Sequence, residues 1–255
     1  MKNSVVKIAL IISASLGFIS NNSYAQNAKF LEIIYKKEVS LKVDTAKNNA
    51  HKVNLSAFNT SLADAVEDIR YSLKISNNNS VFKVVESLDN DSKNNTLKKA
   101  AISIGGTNGD FYINKQDSTA ILNKTLLDAN FRVLLKQKKW KIHKENKLIG
   151  KHLCYKATTI DTVNNSKGTH QFKVNVWFTT QLPPYFGPSA YCGLPGLILE
   201  VENGKMKLTA TEVSIVKPFK IRKPKSGKLI TEDEDSLNQI KAEKNIKEHF
   251  NDVFR

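Results

Sequence analysis

The sequence lacks the short signatures by which many enzymes are recognised. It has no Gly-x-Ser-x-Gly motif that would place a nucleophilic serine on a strand-to-helix turn. The run Gly105–Gly109 is rich in glycine like a phosphate-binding loop, but it lacks the Gly-Lys-Ser/Thr ending and no helix-like pattern follows, so it reads as a β-turn. No spacing singles out two carboxylates for glycoside hydrolysis. These absences favour a binding protein without a cofactor over an enzyme, and an uncharacterised hydrolase stays an alternative.

Long apolar runs are missing beyond the N-terminus. Lys2 and Lys7 precede the apolar stretch 8–19, and Ser23-Tyr24-Ala25 supplies the small residues that a signal peptidase reads. The stretch is shorter than the roughly 20 residues that span a bilayer, and no cysteine at the cleavage point would take a lipid anchor. The sequence therefore predicts a signal peptide over residues 1–25 and one β-rich domain over 26–255. This domain is expected in the periplasm or outside the cell, and not spanning a membrane.

Acidic residues are scarce relative to basic ones. The chain has 39 Lys and Arg against 24 Asp and Glu, a formal net charge of +15. Such a charge invites a nucleic-acid-binding interpretation. The lysines are spread along the chain, however, and no DNA- or RNA-binding motif accompanies them. We predict no nucleic-acid partner and interpret most lysines as solvated; the alternative is a basic surface that faces anionic lipid head groups or an acidic partner.

The chain has only two cysteines, Cys154 and Cys192. In an oxidising compartment the simplest prediction is one disulfide between them. It would close a loop of about 40 residues and contribute a few kcal/mol. The alternative is a copper or zinc site built on His152 and Cys154, which lie on the same face of a strand. His143 or His170 would approach from neighbouring strands.

Strand-like alternation is the main signal that is present. Residues 172–178 alternate strictly between apolar and polar, and residues 30–43 do so over most of their length. Asn203-Gly204 between two strand-like runs predicts a hairpin, with Glu202 opposite Lys205. A second hairpin is predicted from residues 140–144 and 148–159, turning at Glu145-Asn146. Residues 89–99 are predicted to form a loop.

The C-terminal region predicts a helix. Thr231 and Glu234 have the spacing of a capping box, and Leu237 and Ile240 are the residues expected to dock the helix. The predicted fold is thus mainly β: a large, curved antiparallel sheet with a C-terminal helix. A half-barrel-like shape is expected by analogy with periplasmic carriers.

The segment 193–198 reads Gly-Leu-Pro-Gly-Leu-Ile and follows Gly187-Pro188 closely. The chain resembles the GLPGLI family of exported Bacteroidota proteins in this segment and in residues 140–142, 154–158, 176–179 and 223–228. The resemblance implies export but no particular chemistry. The motif residues either line an apolar ligand cleft or form a structural turn: Gly187, Pro188, Gly193, Leu194, Pro195, Gly196, Leu197 and Ile198.

The leading functional hypothesis from the sequence is an exported accessory or binding protein of the cell envelope. Its partner would be an apolar molecule held in the concavity of the sheet, or a protein of an outer-membrane transport complex. The runners-up are a periplasmic copper- or zinc-binding protein and a hydrolase.

Overall fold

The computed structural model describes residues 30–40, 59–85, 95–104, 106–204 and 206–253. The predicted signal peptide and its cleavage point lie outside these residues. The helices are α1 (59–67), α2 (Asn95–Ser103) and α3 (Glu232–Val253). The strands are β1 (Phe30–Val39), β2 (Arg70–Ser76), β3 (Asn79–Val84), β4 (Asp110–Asn114), β5 (Thr119–Leu126), β6 (Ala129–Leu134), β7 (Lys141–Ile149), β8 (His152–Asn165), β9 (Gly168–Thr179), β10 (Leu197–Asn203), β11 (Met206–Ile215) and β12 (Lys228–Thr231).

The strands form one large open sheet, which confirms the predicted mainly-β class with a C-terminal helix. Their order is β12-β6-β5-β4-β3-β2-β1-β11-β10-β9-β8-β7. Neighbouring strands are antiparallel except β12, which pairs parallel with β6 and makes the sheet mixed. Strand β1 joins the two halves of the sheet, because it pairs with β2 on one side and with β11 on the other.

The connection between β6 and β7 requires the sheet to curl. These strands are ten places apart in the order, which would separate them by roughly 48 Å in a flat sheet with strands about 4.8 Å apart. The chain from Leu134 to Lys141 reaches at most about 25 Å when fully extended. Helix α3 contacts β12 and β6 at one end of the sheet and β8 near the other end. The two ends of the sheet therefore come close together beside α3, and we call this region the seam.

The concave interior is filled by the protein's own side chains. Along β1, Leu31, Ile33 and Tyr35 point inward and are buried, as the alternating pattern predicts. Tyr71 and Phe82 stack with their ring centroids 5.4 Å apart, and Phe82 meets further aromatic rings edge-on. One continuous apolar core therefore links strands from both halves of the sheet.

A lysine occupies the next inward position of β1. Lys37 is fully buried, and its ammonium donates to the carbonyl oxygens of Ala101, Ile102 and Ile104 at distances of 2.6, 3.2 and 2.9 Å. It also donates to the hydroxyl of Thr107 at 2.8 Å. Burial lowers the pKa of Lys37 to about 7, whereas the oxygen atoms and the C-terminal end of α2 favour the protonated form. Lys37 thus fastens α2 to the sheet.

Two predicted hairpins form, but their turns lie at other residues than predicted. Strands β7 and β8 turn at residues 150–151, and Glu145-Asn146 belongs to an irregularity within β7. The β10–β11 hairpin exists, but Glu202 lies opposite Lys207 and not Lys205. Its turn begins at Gly204, which has a φ of 61°, so glycine occupies the first central position of the turn. Because the pairing is shifted by two residues, each side chain lies on the same face of the sheet as it would in the predicted pairing.

The helices also depart from the predictions. Residues 95–99, predicted as part of a loop, belong to α2. The capping box of α3 is confirmed: the N–H of Thr231 donates to Glu234 at 2.7 Å, and the N–H of Glu234 donates to Thr231 at 3.2 Å. Leu237 does not dock the helix, because it is 58% exposed; Asp235 and Ala242 face inward instead. Among the described residues, no helix has both the length and the apolarity needed to cross a membrane.

An ion pair holds α3 to the sheet. The ammonium of Lys124 on β5 lies 2.6 Å from the carboxylate of Asp235, and both side chains are about nine-tenths buried. The other carboxylate oxygen of Asp235 is buried without a hydrogen-bond partner. Two residues earlier in the helix, Asp233 pairs with Lys136 at 2.8 Å, and both of these side chains are exposed.

We expect Asp235→Asn to lower the free energy of unfolding by about 3–5 kcal/mol, because it leaves the Lys124 ammonium buried without its counter-charge. Asp233→Asn is the matched control. It removes a carboxylate from the same helical turn, and its loss should be much smaller because solvent screens its exposed ion pair with Lys136. Urea unfolding at neutral pH measures both values. Equal losses in the two variants would show that α3 is not held by the Lys124–Asp235 pair.

Candidate binding site at the seam of the sheet

The segment between β9 and β10 folds into a compact loop that carries the Gly-Leu-Pro-Gly motif. The N–H of Tyr185 donates to Leu194 at 2.9 Å, and the N–H of Gly193 donates back to Tyr185 at 2.8 Å. The N–H of Ile198 donates to Phe186 at 3.0 Å. We call residues 185–198 the motif loop. These bonds pair part of the backbone of the loop within the loop itself, and Leu197 and Ile198 continue into the pairing with β9.

Glycine is required at three places in this loop. Gly193 has a φ of 95°, a conformation that side chains disfavour. Gly196 lies directly on strand β9, where a Cβ atom would overlap the carbonyl of Thr179. Gly187 is similarly crowded by Tyr191 and Ile198. The glycines of the motif are thus explained by backbone geometry and close packing.

The motif loop closes the interior of the sheet. The hydroxyl of Tyr35 donates to the carbonyl of Ile198 at 2.7 Å, across the core from β1. The indole N–H of Trp140 donates to the carbonyl of Cys192 at 2.8 Å. Of the predicted motif residues, Gly193 and Pro195 are exposed; the buried ones are Gly187, Pro188, Leu194, Gly196, Leu197 and Ile198. The side chains of Leu194, Leu197 and Ile198 belong to the apolar core.

A polar cluster joins the motif loop to the seam. The carboxylate of Asp161 on β8 accepts from Lys138 at 2.7 Å and from the hydroxyl of Tyr191 at 2.7 Å. The side-chain amide of Asn203 donates to the same hydroxyl at 2.7 Å. Burial and the Asp161 carboxylate raise the pKa of Tyr191 well above its usual value, so the phenol stays protonated and donates. We call these residues the Asp161 cluster.

A cleft opens beside this cluster. Strand β7 covers β8 only as far as Thr158, and the rest of β8 pairs with β9 alone. The uncovered edge of β8 faces residues 136–139 and the first turn of α3 across a cleft of about 570 Å³. Its lining residues are mostly polar or charged, although their carbon atoms form about half of the lining surface: Lys136, Gln137, Lys138, Lys139, Thr159, Ile160, Thr162, Asn164, Glu232, Asp233 and Ser236. We call it the seam cleft. Its size is that of a small-molecule site, and its lining suits a polar ligand.

Sequence reasoning did not single out the residues that build this region. Asp161 and Tyr191 are 30 residues apart in the sequence, and the pairing of β8, β9 and β10 brings them together. Lys37 carried a local signal, because it continues the inward alternation of Ile33 and Tyr35. The signal is weak because lysine is rarely buried, so the position reads as the end of an apolar pattern.

The predicted disulfide is absent. Cys154 and Cys192 are both buried with free thiols. Cys192 lies in the motif loop near Lys138 and Tyr185, and its carbonyl accepts from the indole of Trp140. Cys154 lies on β8 near Lys147 and Glu200, so the two thiols have different surroundings. The spacing of the two cysteines along the chain does not indicate that their surroundings differ.

The alternative ligand pair does not gather around one point. The ring of His152 lies 3.2 Å from the amide oxygen of Gln181, and the thiol of Cys154 points to the carbonyl of His152 at 3.5 Å. His143 contacts Thr158, and His170 is exposed near the other end of β8. Within the described ranges, no three His, Cys, Asp or Glu residues are grouped so that they could hold a metal ion.

Comparisons with known proteins add a family match and a fold. Residues 164–200 match the family described as "Protein of unknown function (Porph_ging)". This stretch runs from the end of β8 through β9 and the motif loop into β10. None of the curated proteins matches the chain.

Two solved structures of PNGF-II are similar in fold. The one in the C2 space group covers 84% of this chain with 16% sequence identity and a TM-score of 0.50. The one in the P21 space group covers 84% with 16% identity and a TM-score of 0.48. The chain spans about a third of those chains, 33% and 34% of their lengths. The likeness to the first structure concerns the fold alone.

We expect Gly196→Ala to destabilise the protein by at least about 1–3 kcal/mol, the usual range for overpacking, because its Cβ overlaps the backbone of β9. Pro195→Ala, at the exposed neighbouring position, is the control and should change stability by less than about 1 kcal/mol. Thermal or urea unfolding measures the difference. If Gly196→Ala were as stable as the control, the close approach to Thr179 would not matter for the fold.

The thiols predict a stability loss at alkaline pH. Burial raises the pKa of Cys154 and of Cys192 to about 11. The folded state therefore keeps both protons while the unfolded state loses them, so this stabilisation is present below pH 9 and is lost as the pH rises towards 11. Urea unfolding between pH 8 and 10 should show a steeper fall than in the Cys154→Ala/Cys192→Ala variant, by about 1 kcal/mol per thiol and pH unit.

The variant keeps the buried tyrosines, so their contribution cancels in the comparison and the difference belongs to the thiols. Alkylation of the unfolded, unreduced protein should add two adducts. A disulfide would abolish both the adducts and the difference in slope.

Proposed function

We propose that the protein is an exported, non-catalytic binding protein of the bacterial cell envelope that belongs to the GLPGLI family and takes a polar ligand in the seam cleft. The sequence supports export through its positive, apolar and small-residue N-terminal pattern. The family assignment is supported by the Gly-Leu-Pro-Gly-Leu-Ile segment and by the match over residues 164–200.

The observation that carries the binding proposal is the contrast between the interior and the seam. The concavity is occupied by aromatic side chains and by the motif loop, so an apolar molecule would have to displace the core. The seam cleft instead lies open and is lined by groups that donate and accept hydrogen bonds. A polar molecule with hydroxyl or amide groups therefore replaces the apolar ligand expected from the sequence.

The chemistry of the buried groups supports a non-catalytic role. The thiols have pKa values of about 11 and are not thiolates at neutral pH. The Asp161 carboxylate is engaged by Lys138 and Tyr191, and these bonds hold the walls of the cleft in place. Docking to an outer-membrane protein would use the outside of the same scaffold and remains compatible with this role.

The test is the mass of the protein purified from the periplasm of the producing cell, under native and then denaturing conditions. We expect a denatured mass that corresponds to cleavage after Ala25 and a native mass larger by a bound polar molecule. The Thr162→Val/Asn164→Ala variant should lose this extra mass, because both side chains line the cleft. The control His170→Ala changes an exposed residue of β9 that is not part of the lining and should keep it.

Three outcomes contradict the proposal. An uncleaved chain in the cytoplasm refutes export. A native mass equal to the denatured mass refutes the retained ligand. Extra mass that survives in the Thr162→Val/Asn164→Ala variant places the ligand outside the seam cleft.

A further inference from the structure

The turn between β7 and β8 presents two leucines to solvent. Leu148 and Leu153 lie directly opposite each other in the register, so their side chains share one face of the hairpin. Leu148 is 69% exposed and Leu153 is 37% exposed. Ile142, which lies on β7 like Leu148, is 53% exposed. We call residues 147–153 the hairpin tip.

The backbone of this edge is poorly suited to pairing with another strand. Strand β7 has a register irregularity between Ile142 and Asn146, and it carries three lysines in nine residues. Bulges and lysines are the features by which natural edge strands resist strand addition. The hairpin tip therefore offers its side chains, and not its backbone, to a partner.

The charges around the leucines have one prevailing sign. Lys151 is exposed in the turn of the tip, and Lys144 is exposed beside it on β7. The nearby acids are already compensated: Glu145 pairs with Lys156 at 3.1 Å, and Glu200 pairs with Lys147 at 2.7 Å. The surface around Leu148 and Leu153 is thus apolar at its centre and basic at its margin.

We propose that the hairpin tip binds the surface of a bilayer that contains anionic lipid, with Leu148 and Leu153 inserted between the head groups and the lysines at the phosphate level. Apolar side chains partition into the boundary between head groups and acyl chains, and basic residues add attraction to anionic lipid. Two exposed leucines that flank a two-residue turn form an apolar surface small enough to enter this boundary. A second copy of the chain would bring like charges together, so self-association is less favoured by the same arrangement.

This surface is separate from the seam cleft. The cleft borders β8 at residues 159–164, whereas the tip lies at the other end of the same strand. Membrane binding at the tip therefore stands whether or not a ligand occupies the cleft.

The test is co-sedimentation with lipid vesicles, using the protein in the form in which the producing cell makes it. We expect binding to mixed phosphatidylcholine–phosphatidylglycerol vesicles at low salt, weaker binding at high salt, and little binding to phosphatidylcholine alone. Leu148→Ser/Leu153→Ser should reduce the partition coefficient at least about tenfold, because each leucine loses its burial in the lipid. Circular dichroism and urea unfolding confirm that the variant is folded.

Leu237→Ser is the matched control, since Leu237 is an equally exposed leucine on α3. It should leave vesicle binding unchanged. Unchanged binding in Leu148→Ser/Leu153→Ser overturns the proposal, as does equal binding to the two kinds of vesicle. Failure to bind either vesicle also overturns it, and a dimer in sedimentation that only the tip variant loses would assign the leucines to a protein interface.

Discussion

The short connection between β6 and β7 is the constraint on which the rest of the structure depends. It joins strands at opposite ends of a large sheet, and no flat sheet permits this. Curling the sheet creates a concave side that must be filled, and it creates a seam where the ends approach without pairing. The motif loop fills the concave side, while helix α3 and the Asp161 cluster bridge the seam.

The packing of the motif loop changes the interpretation of the Gly-Leu-Pro-Gly-Leu-Ile segment. A run of apolar residues between glycines looks like the wall of a ligand site, because ligand sites are often apolar. In the structure Leu194, Leu197 and Ile198 are core residues, and Gly196 is the point where the loop presses on β9. The features open to solvent are instead the polar seam cleft and the leucine-tipped hairpin. Neither has a distinctive sequence motif.

The sequence predicts local structure well wherever one face of an element is buried. The strict alternation of β9 and the capping box of α3 specify their elements through nearest neighbours alone. Errors arise where a distant contact decides the outcome. Leu237 has helical spacing, but the Lys124–Asp235 pair turns a different face of α3 inward. Residues Glu145-Asn146 have turn-forming character, yet the longer β8 strand pairs past them and leaves an irregularity.

The candidate site was beyond prediction for the same reason. The walls of the seam cleft come from the β6–β7 link, from β8 and from α3, which meet only after the sheet has curled. The disulfide prediction failed because the spacing of the cysteines does not indicate the surroundings of each thiol. Lys37 shows the intermediate case: the alternation of β1 points it inward, while its charge argues against burial unless the acceptors at the end of α2 are known.

The position of β1 has a consequence for how the protein acquires its fold. This strand is the first of the described elements, and one of its two neighbours is β11, near the far end of the chain. The two halves of the sheet cannot be joined until most of the polypeptide is available, and contacts so distant in sequence form slowly. A chain emerging from a ribosome or a translocation channel thus presents β1 with one side unpaired for most of its passage. The order of synthesis and the order of assembly run against each other, which leaves an interval in which a chaperone can bind the exposed strand.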